Sequence, residues 1–155
     1  LNPLTPFGPM LHKTHREILL VEDSPSDAHL AQRALAESSF RSNVSHARDG
    51  VEAMEMLRQE GAHADCPRPD LILLDLNMPR KDGRQVLTEL KQHAELSRIP
   101  VIVLTTSADD QDIADAYRLG SNSYIVKPVD VKAFFDVVEH TQQYWFATCR
   151  LPDDR

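Results

Sequence analysis

The sequence predicts an α/β domain in which helices cover both faces of a five-stranded parallel sheet. Three short runs, residues 18–21, 71–74 and 101–104, are entirely apolar, which is typical of strands that are buried on both faces. Segments with apolar residues at helical spacing separate these runs. Strands that alternate with helices form parallel sheets with right-handed crossovers.

Ten elements follow one another along the chain in a (βα)5 pattern. Continuous or alternating apolar runs predict the strands, at residues 18–21, 42–47, 71–74, 101–104 and 124–126. Capping residues and inward-facing apolar residues predict the helices, which start near Ser24, Asp49, Gly83, Gln111 and Asp130. A longer loop precedes the third strand, at residues 59–69.

Local signals mark where several helices begin and end. Ser24 is a suitable N-cap, Pro25 fits the first helical turn, and Asp27 can fold back onto the cap. Asp49 takes the same capping role in the second helix. Gly120 follows the fourth helix, and glycine readily adopts the left-handed conformation that ends a helix.

The character of each strand indicates its place in the sheet. The first, third and fourth strands are solidly apolar and should be central, whereas the second is half polar and the fifth is short. This pattern predicts the strand order 2-1-3-4-5 of doubly wound, flavodoxin-like sheets. Ligands bind such sheets beyond the carboxyl ends of the strands, where the order reverses between strands one and three.

Composition limits the function classes. The chain has 155 residues and a formal net charge of −7, which argues against a nucleic-acid partner because non-specific binding needs clustered Lys and Arg. No apolar run approaches the roughly 20 residues of a membrane helix, so no membrane partner is expected. Cys66 and Cys149 have no paired spacing. Reduced thiols in a cytoplasmic protein are therefore predicted.

Three regions are expected along the chain. Residues 1–15 contain three prolines and a glycine without periodicity, which predicts a flexible arm, and they lack the pattern of a signal peptide. Residues 16–141 hold the ten elements as one domain. Residues 142–155 follow as an aromatic C-terminal extension, which contains Tyr144, Trp145 and Phe146.

Polar residues stand where four of the predicted strands end. Glu22 and Asp23 follow the first strand, Asp75 follows the third, Thr105 ends the fourth and Lys127 follows the fifth. Because parallel strands bring their carboxyl ends to one edge, these side chains should converge there. Each feature alone has a plainer explanation, as a solvated turn, a helix cap, a β-branched strand residue or an exposed charge. Their coincidence at strand ends favours one active site.

The three acids point to a metal site, because crowded carboxylates repel one another unless one is protonated or a cation is present. Magnesium suits this set, since it prefers oxygen ligands and keeps several waters. Asp23 and Asp75 would ligate Mg²⁺ directly and Glu22 through water. The backbone carbonyl of Asn77 would supply another oxygen.

Asp75 is the expected nucleophile of this site. A carboxylate can attack phosphorus and form an acyl phosphate, and this transfer mainly requires positioning and charge neutralisation. The Lys127 ammonium would neutralise one part of the phosphoryl group, and the Thr105 hydroxyl would donate to another. The sequence therefore predicts a phosphorylation switch.

These residues resemble the receiver domain of two-component response regulators, of which the chemotaxis receiver is the simplest example. The match spans residues 17–140 and is carried by five strings, at residues 18–23, 70–79, 82–83, 100–105 and 124–128. The resemblance implies that Asp75 accepts phosphate from the phosphohistidine of a sensor histidine kinase, with magnesium required. It also implies that Thr105 moves toward the phosphoryl group while Tyr124 turns inward. That movement would alter the face formed by helix four, strand five and helix five.

A narrower resemblance concerns the small response regulators of cyanobacterial phytochromes. It rests on the loop at residues 59–69, residues 82–84 and the aromatic tail, and it implies that the kinase is a phytochrome. The tail leaves no room for a DNA-binding winged helix, so a stand-alone receiver is expected. Such a receiver catalyses its own phosphoryl transfer and hydrolysis but is not an enzyme in the usual sense. Glu22 departs from the family pattern, since Asp is common at that position.

Adjacent aromatic residues point to a protein interface. Tyr144, Trp145 and Phe146 follow the last helix, and three consecutive aromatics cannot all face one core from a single helix. Phe134 and Phe135 raise the same difficulty. We therefore expect a homodimer through the face from helix four to helix five, with Phe134 and the tail taking part. The alternative is that the tail aromatics cover the end of the last helix within one chain.

Other function classes fit part of the pattern. A phosphatase or phosphotransferase of the haloacid-dehalogenase kind also uses a strand-end Asp, but it has a second acid where this chain has Asn77. A nucleotide-binding domain would need a Gly-rich turn after the first strand. A receiver fold used only as a constitutive binding module is a further possibility. A stable, Asp75-dependent acyl phosphate would favour the switch over all three.

Overall fold

The computed structural model describes residues 15–152, and nearly all of the expected N-terminal arm at residues 1–15 lies outside them. The five strands are β1 (Arg16–Val21), β2 (Ser42–Ala47), β3 (Leu71–Leu74), β4 (Val101–Thr105) and β5 (Ser123–Val126). The five α-helices of the described region are α1 (Pro25–Ala36), α2 (Gly50–Arg58), α3 (Gly83–Lys91), α4 (Asp110–Arg118) and α5 (Val131–Gln142). A π-helical turn, Gln143–Thr148, continues α5. Across these residues, no helix has both the length and the apolar character needed to cross a bilayer.

The strands form one sheet in the order β2-β1-β3-β4-β5, and all neighbouring strands are parallel. This confirms the predicted fold class and strand order. The prediction succeeds because burial follows strand position: every residue of β3 and β4 is buried, whereas β2 and β5 at the edges are mostly half-buried or exposed. The order reverses between β1 and β3, which are direct neighbours in the sheet.

Apolar side chains form one hydrophobic cluster on each face of the sheet. Alternate residues of a strand point to opposite faces. In β1, Leu19 and Val21 therefore join the first cluster, with α2, α3 and α4, while Ile18 and Leu20 join the second cluster, with α1 and α5. Burying one such side chain contributes about 1.5–3 kcal/mol to folding. The two clusters hold the helices on both faces and leave the carboxyl edge free for polar residues.

Side-chain caps fix the starts of the helices. An oxygen of the capping side chain accepts a backbone hydrogen bond in the first turn of α1, α2, α3, α4 and α5, at Ser24, Asp49, Asp82, Asp109 and Asp130 respectively. The fourth helix therefore begins one residue earlier than predicted, because Asp109 acts as its cap. A cap of this kind typically contributes about 1 kcal/mol.

Phe134 and Phe146 are core residues, which corrects the expectation that both lie at an interface. Each is 3% exposed and belongs to the second cluster. The reason is their spacing: Phe134, Val138, Gln142 and Phe146 recur every four residues and are all buried, so one face of the continuous helix points inward. Phe146 also packs edge-on against Phe40, with ring centroids 6.2 Å apart.

The other aromatic residues of the tail differ in exposure. Tyr144 is 54% exposed, whereas Trp145 is half-buried beside the second cluster. Leu151 is buried in the same cluster. The first part of the extension expected at residues 142–155 therefore continues α5 and packs on the domain, and Tyr144 is its most exposed aromatic residue among those described.

Candidate functional site

The polar strand ends lie at one edge of the sheet. Asp75 follows β3, and its N–H donates to the carbonyl of Val21 at 3.0 Å, while the N–H of Lys127 donates to the carbonyl of Thr105 at 2.7 Å. Backbone pairing thus continues one residue beyond β3 and β5. The parallel register therefore places Asp75 beside the end of β1 and Lys127 beside the end of β4.

Three carboxylates form the centre of the site. One oxygen each of Glu22, Asp23 and Asp75 lies within 4.8 Å of the other two, so the structure brings together the three acids named from the sequence. Glu22 is buried, Asp75 is half-buried and Asp23 is exposed. Gly83 lies directly behind Asp75, because a Cβ at Gly83 would lie only 2.5 Å from the Asp75 carbonyl oxygen.

The ammonium of Lys127 reaches three carboxylates. Its Nζ lies 2.5 Å from Glu22, 3.3 Å from Asp27 and 3.9 Å from Asp75. Burial alone would lower the pKa of Lys127, but the hydrogen bond and the charge of Glu22 outweigh it, so the pKa lies above its ordinary value. The side chain is therefore cationic at neutral pH, and it neutralises part of the negative charge of the cluster.

Burial and charged neighbours act in opposite directions on the pKa of Glu22. Burial raises the pKa of Glu22 to about 7; the bond from Lys127 opposes this shift, and the charge of Asp75 reinforces it. The N–H of Ser24 also donates to the Glu22 carboxylate, at 3.2 Å. A divalent cation at the cluster would favour the ionised form of Glu22, because it would offset the repulsion among the acids.

Thr105 presents an unpaired hydroxyl at the end of β4. Its side chain is fully buried, and within the described part of the chain Oγ1 has no hydrogen-bond partner. Leaving a buried polar group unpaired costs about 1–3 kcal/mol. An acceptor oxygen of a group bound at this edge would supply the missing partner.

Tyr124 lies inward on β5. Its hydroxyl donates to the carbonyl of Ser107 at 2.8 Å, and its ring packs against the first cluster. The hydroxyl of Ser107 donates to Asp112 at 2.6 Å, and Arg84 pairs with the same carboxylate. The loop that follows Thr105 is therefore tied to β5, α4 and α3 at once.

The donor set fits a hard divalent cation. The clustered ligand atoms are carboxylate oxygens, which Mg²⁺ and Mn²⁺ both accept. Asn77, whose backbone carbonyl is the further expected ligand, is exposed in the loop between β3 and α3. A nucleophilic carboxylate, an ammonium and an unpaired hydroxyl at one edge can also receive a phosphoryl group.

Two parts of the site were missed by the sequence analysis. Asp27 was expected to fold back onto the first helix cap, but only its N–H binds Ser24, and its carboxylate lies at Lys127. An acid in the first turn of the helix that follows Glu22 was the available signal for this role. Asp49 was named only as a helix cap, yet it also binds Arg80, and no pattern in the sequence indicates that pair.

Known proteins resemble this chain in both sequence and fold. The family model of the response regulator receiver domain matches residues 18–139. The response regulator Rcp1 of Synechocystis sp. is 47% identical over 135 residues, which cover 87% of this chain and 92% of Rcp1.

Two solved structures extend the comparison. The crystal structure of the phosphorylated cyanobacterial phytochrome response regulator RcpA shares 49% identity and a TM-score of 0.85, over 90% of this chain and 99% of RcpA. The Mn²⁺-bound form of Rcp1 shares 46% identity and a TM-score of 0.82, over 88% and 99% of the two chains. The strand order and the acidic edge agree with the family match, and the chain belongs to the response regulator receiver domain family.

Proposed function

We propose that Asp75 accepts a phosphoryl group from the phosphohistidine of a sensor histidine kinase, and that this kinase is a phytochrome. One observation carries the proposal: the Asp75 carboxylate lies within 4.8 Å of two further acids and 3.9 Å from the Lys127 ammonium. The similarity to RcpA, a cyanobacterial phytochrome response regulator crystallised in its phosphorylated form, supports both the reaction and the partner.

Each residue has a distinct part in the proposed transfer. A carboxylate oxygen of Asp75 attacks the phosphorus; the new P–O bond forms as the P–N bond of the phosphohistidine breaks, and the imidazole leaves with the electron pair. Lys127 places its positive charge near the phosphoryl oxygens, and the Thr105 hydroxyl donates to one of them. Water later hydrolyses the acyl phosphate. The chain thus acts as a switch and not as an enzyme that turns over an external substrate.

Mg²⁺ is the proposed cofactor. Asp23 and Asp75 would bind it directly, Glu22 through water, and Asn77 through its backbone carbonyl. When bound, Mg²⁺ neutralises charge on the acids and on the transferred group. The Mn²⁺-bound form of Rcp1 supports a divalent cation in a receiver of this kind.

A cytoplasmic location without nucleic-acid or membrane partners belongs to the same proposal. Cys66 and Cys149 are both free thiols, which suits a reducing compartment. The formal charge of −7 disfavours binding to the phosphate backbone of nucleic acids.

The proposed function is tested by phosphotransfer from a prephosphorylated kinase. A cyanobacterial phytochrome kinase and a sensor kinase from an unrelated pathway are labelled with radioactive ATP, freed of nucleotide and mixed with the chain in Mg²⁺. Initial transfer from the phytochrome should be at least about tenfold faster, a preference of about 1.4 kcal/mol. Equal rates would contradict the phytochrome pairing, and no transfer from either kinase would contradict the phosphoacceptor role.

We further propose that phosphorylation alters the face formed by α4, β5 and α5, and that two chains associate through it. Thr105 and Tyr124 are joined by the loop that carries Ser107, so a bond formed by the Thr105 hydroxyl can bias the position of the Tyr124 ring. Tyr117 and Val126 are 50% and 40% exposed on this face. Tyr144 and Trp145 of the tail would join the homodimer interface.

Tyr124→Ala should leave labelling of Asp75 intact but weaken the association that depends on phosphate. Alanine removes both the ring and the bond to Ser107, whereas Tyr124→Phe removes only the bond and should give an intermediate effect. Sedimentation velocity of each protein, with and without phosphoryl groups on Asp75, measures the association. A monomeric wild type in both states would contradict the dimer, and wild-type association of Tyr124→Ala would contradict the coupling.

A further inference from the structure

The end of β2 and the start of α2 contact both of the loops that carry the acids. On one side, the carbonyl of Ala47 accepts the N–H of Glu22 at 3.0 Å, and His46 Nε2 lies 2.8 Å from the Glu22 carbonyl oxygen. On the other side, the N–H of Gly50 donates to the carbonyl of Lys81 at 3.0 Å. A Cβ at Gly50 would lie 2.2 Å from that oxygen, so the two backbones are in direct contact.

Asp49 adds a charged connection to this contact. The Asp49 side chain is 12% exposed. Its Oδ1 accepts a hydrogen bond from the N–H of Glu52 at 2.9 Å and so caps α2. Its Oδ2 accepts hydrogen bonds from Nε and Nη2 of Arg80, both at 2.7 Å. Burial alone would raise the pKa of Asp49, but the bonds from Glu52 and Arg80 lower it below its ordinary value. Although the Arg80 side chain is more than half exposed, two short bonds to a largely buried carboxylate make this pair stronger than an ordinary surface ion pair.

Arg80 belongs to the loop that follows the nucleophile. This loop, residues 76–82, is closed at its base by the bond from the Gly83 N–H to the Leu76 carbonyl at 2.8 Å. At its tip, Arg80 has a φ of +65°, in the left-handed region, which costs a non-glycine residue about 1–2 kcal/mol. The bond from Arg80 to Asp49 offsets this cost, which indicates that the start of α2 holds the tip of the loop in place.

We propose that Asp49 and Arg80 are positioning residues for divalent-cation binding. Their ion pair would hold the loop at residues 76–82, and with it Asn77, in the arrangement that offers oxygen ligands beside Asp75. The inference rests on the proposed metal-dependent site and adds to it a connection through α2. Neither Asp49 nor Arg80 is itself a ligand in this proposal.

Mn²⁺ binding tests this role directly, without phosphoryl transfer. Arg80→Asn removes the guanidinium but keeps a residue that tolerates the left-handed conformation. Groups that orient metal ligands typically affect metal affinity about 10–100-fold, so Arg80→Asn should raise the Kd for Mn²⁺ about tenfold in a titration followed by electron paramagnetic resonance. Arg48→Asn is the matched control: Arg48 is an exposed neighbour paired with Glu52, its loss changes the net charge equally, and its Kd should equal that of the wild type.

A double-mutant cycle separates the effect of the Asp49–Arg80 interaction from the individual effects of the two residues. Asp49→Asn keeps a capping side chain for α2 and should weaken Mn²⁺ binding as Arg80→Asn does, and the double variant should bind no more weakly than either single variant. Urea unfolding without metal should show only a modest loss of stability for Arg80→Asn, because the tolerance of asparagine for φ +65° offsets part of the cost of losing the ion pair. Rescue by Arg80→Lys should be partial, because an ammonium cannot reproduce both bonds.

Two results would overturn the inference. One is wild-type Mn²⁺ affinity in Arg80→Asn; the other is an affinity loss in that variant that merely follows a loss of unfolding free energy. Because Mn²⁺ alone is the probe, the outcomes separate from those of the kinase experiment. Failed phosphotransfer with a clear Arg80 effect would reject only the proposed function, whereas normal phosphotransfer with no Arg80 effect would reject only the positioning role.

Discussion

Asp75→Asn should abolish phosphorylation of the chain by acetyl phosphate and Mg²⁺. Asparagine keeps the size of the side chain but has no nucleophilic carboxylate, so no acyl phosphate can form at residue 75. Loss of a catalytic nucleophile typically costs at least about 10³-fold in rate, which would put labelling below detection in intact-protein mass spectrometry. The free energy of unfolding should change by only about 1 kcal/mol, because one repulsive charge and one 3.9 Å ion pair disappear together.

Asp82→Asn provides the matched control for this result. Asp82 lies in the same stretch of chain, but it caps α3 and is not part of the carboxylate cluster. Asparagine remains a good N-cap, so this variant should be labelled at the wild-type rate. Hydroxylamine, which cleaves acyl phosphates, should release the label from both the wild type and Asp82→Asn. Residual labelling of Asp75→Asn at another carboxylate would contradict the assignment of the acceptor.

The fold and the convergence of the acids could be predicted because both follow from one-dimensional patterns. The apolar runs at residues 18–21, 71–74 and 101–104 end at polar residues, and parallel topology brings those ends together. The order of the strands could be predicted because central strands are covered on both faces and must therefore be apolar on both. No distance between side chains was needed for either conclusion.

The burial of the aromatic residues in the tail could not be predicted in the same way. Three adjacent aromatics suggest divergent directions, but the periodicity that decides their burial starts earlier, at Phe134, and continues through Val138 and Gln142 to Phe146. Treating the aromatic residues as a separate segment hid that stripe. The prediction that Phe134 and Phe146 lie at an interface is therefore wrong, because both side chains are buried in the core of the domain.

Side-chain contacts between distant elements were equally inaccessible from sequence. The carboxylate of Asp27 and the guanidinium of Arg80 each bind a residue far along the chain, Lys127 and Asp49 respectively. The position of Asp27 suggested only a role at the first helix cap, and no pattern in the sequence suggested a role for Arg80. Such pairs depend on the relative placement of whole elements, which a local pattern does not encode.

Lys127→Met should slow phosphorylation of Asp75 by about 10²–10³-fold without weakening metal binding. Methionine keeps most of the length and apolar character of the lysine stem but removes the ammonium. Removal of one preorganised charge or donor from a reacting group typically costs this much in rate. Mn²⁺ affinity should not fall at pH 8, because the loss of a cation that competes for Glu22 and Asp75 offsets the higher pKa of Glu22. Acetyl phosphate labelling and Mn²⁺ titration of the same samples measure the two effects.

The same variant should also acquire a steeper pH dependence of stability. Burial already raises the pKa of Glu22 to about 7, and Lys127 opposes that rise, so the pKa should climb further in Lys127→Met. A carboxyl whose pKa is raised on folding binds more protons in the native state than in the unfolded state. Stability therefore falls as the pH rises from the unfolded pKa to the folded pKa. Between pH 6 and pH 8, urea unfolding of Lys127→Met should lose more free energy than the wild type.

Lys132→Met is the control for both readouts. Lys132 is 85% exposed and pairs with Asp136 on the surface of α5, so its replacement should change neither the labelling rate nor the pH dependence of stability.

In Lys127→Met, by contrast, Glu22 loses a buried partner. Removing one partner of a buried pair typically costs about 3–5 kcal/mol, but protonation of Glu22 should reduce that cost at pH 6. Wild-type labelling by Lys127→Met would show that the ammonium does not assist transfer. If the free energy of unfolding depends on pH as it does in the wild type, Lys127 does not influence the pKa of Glu22. The short contact between the two side chains would then have no electrostatic role.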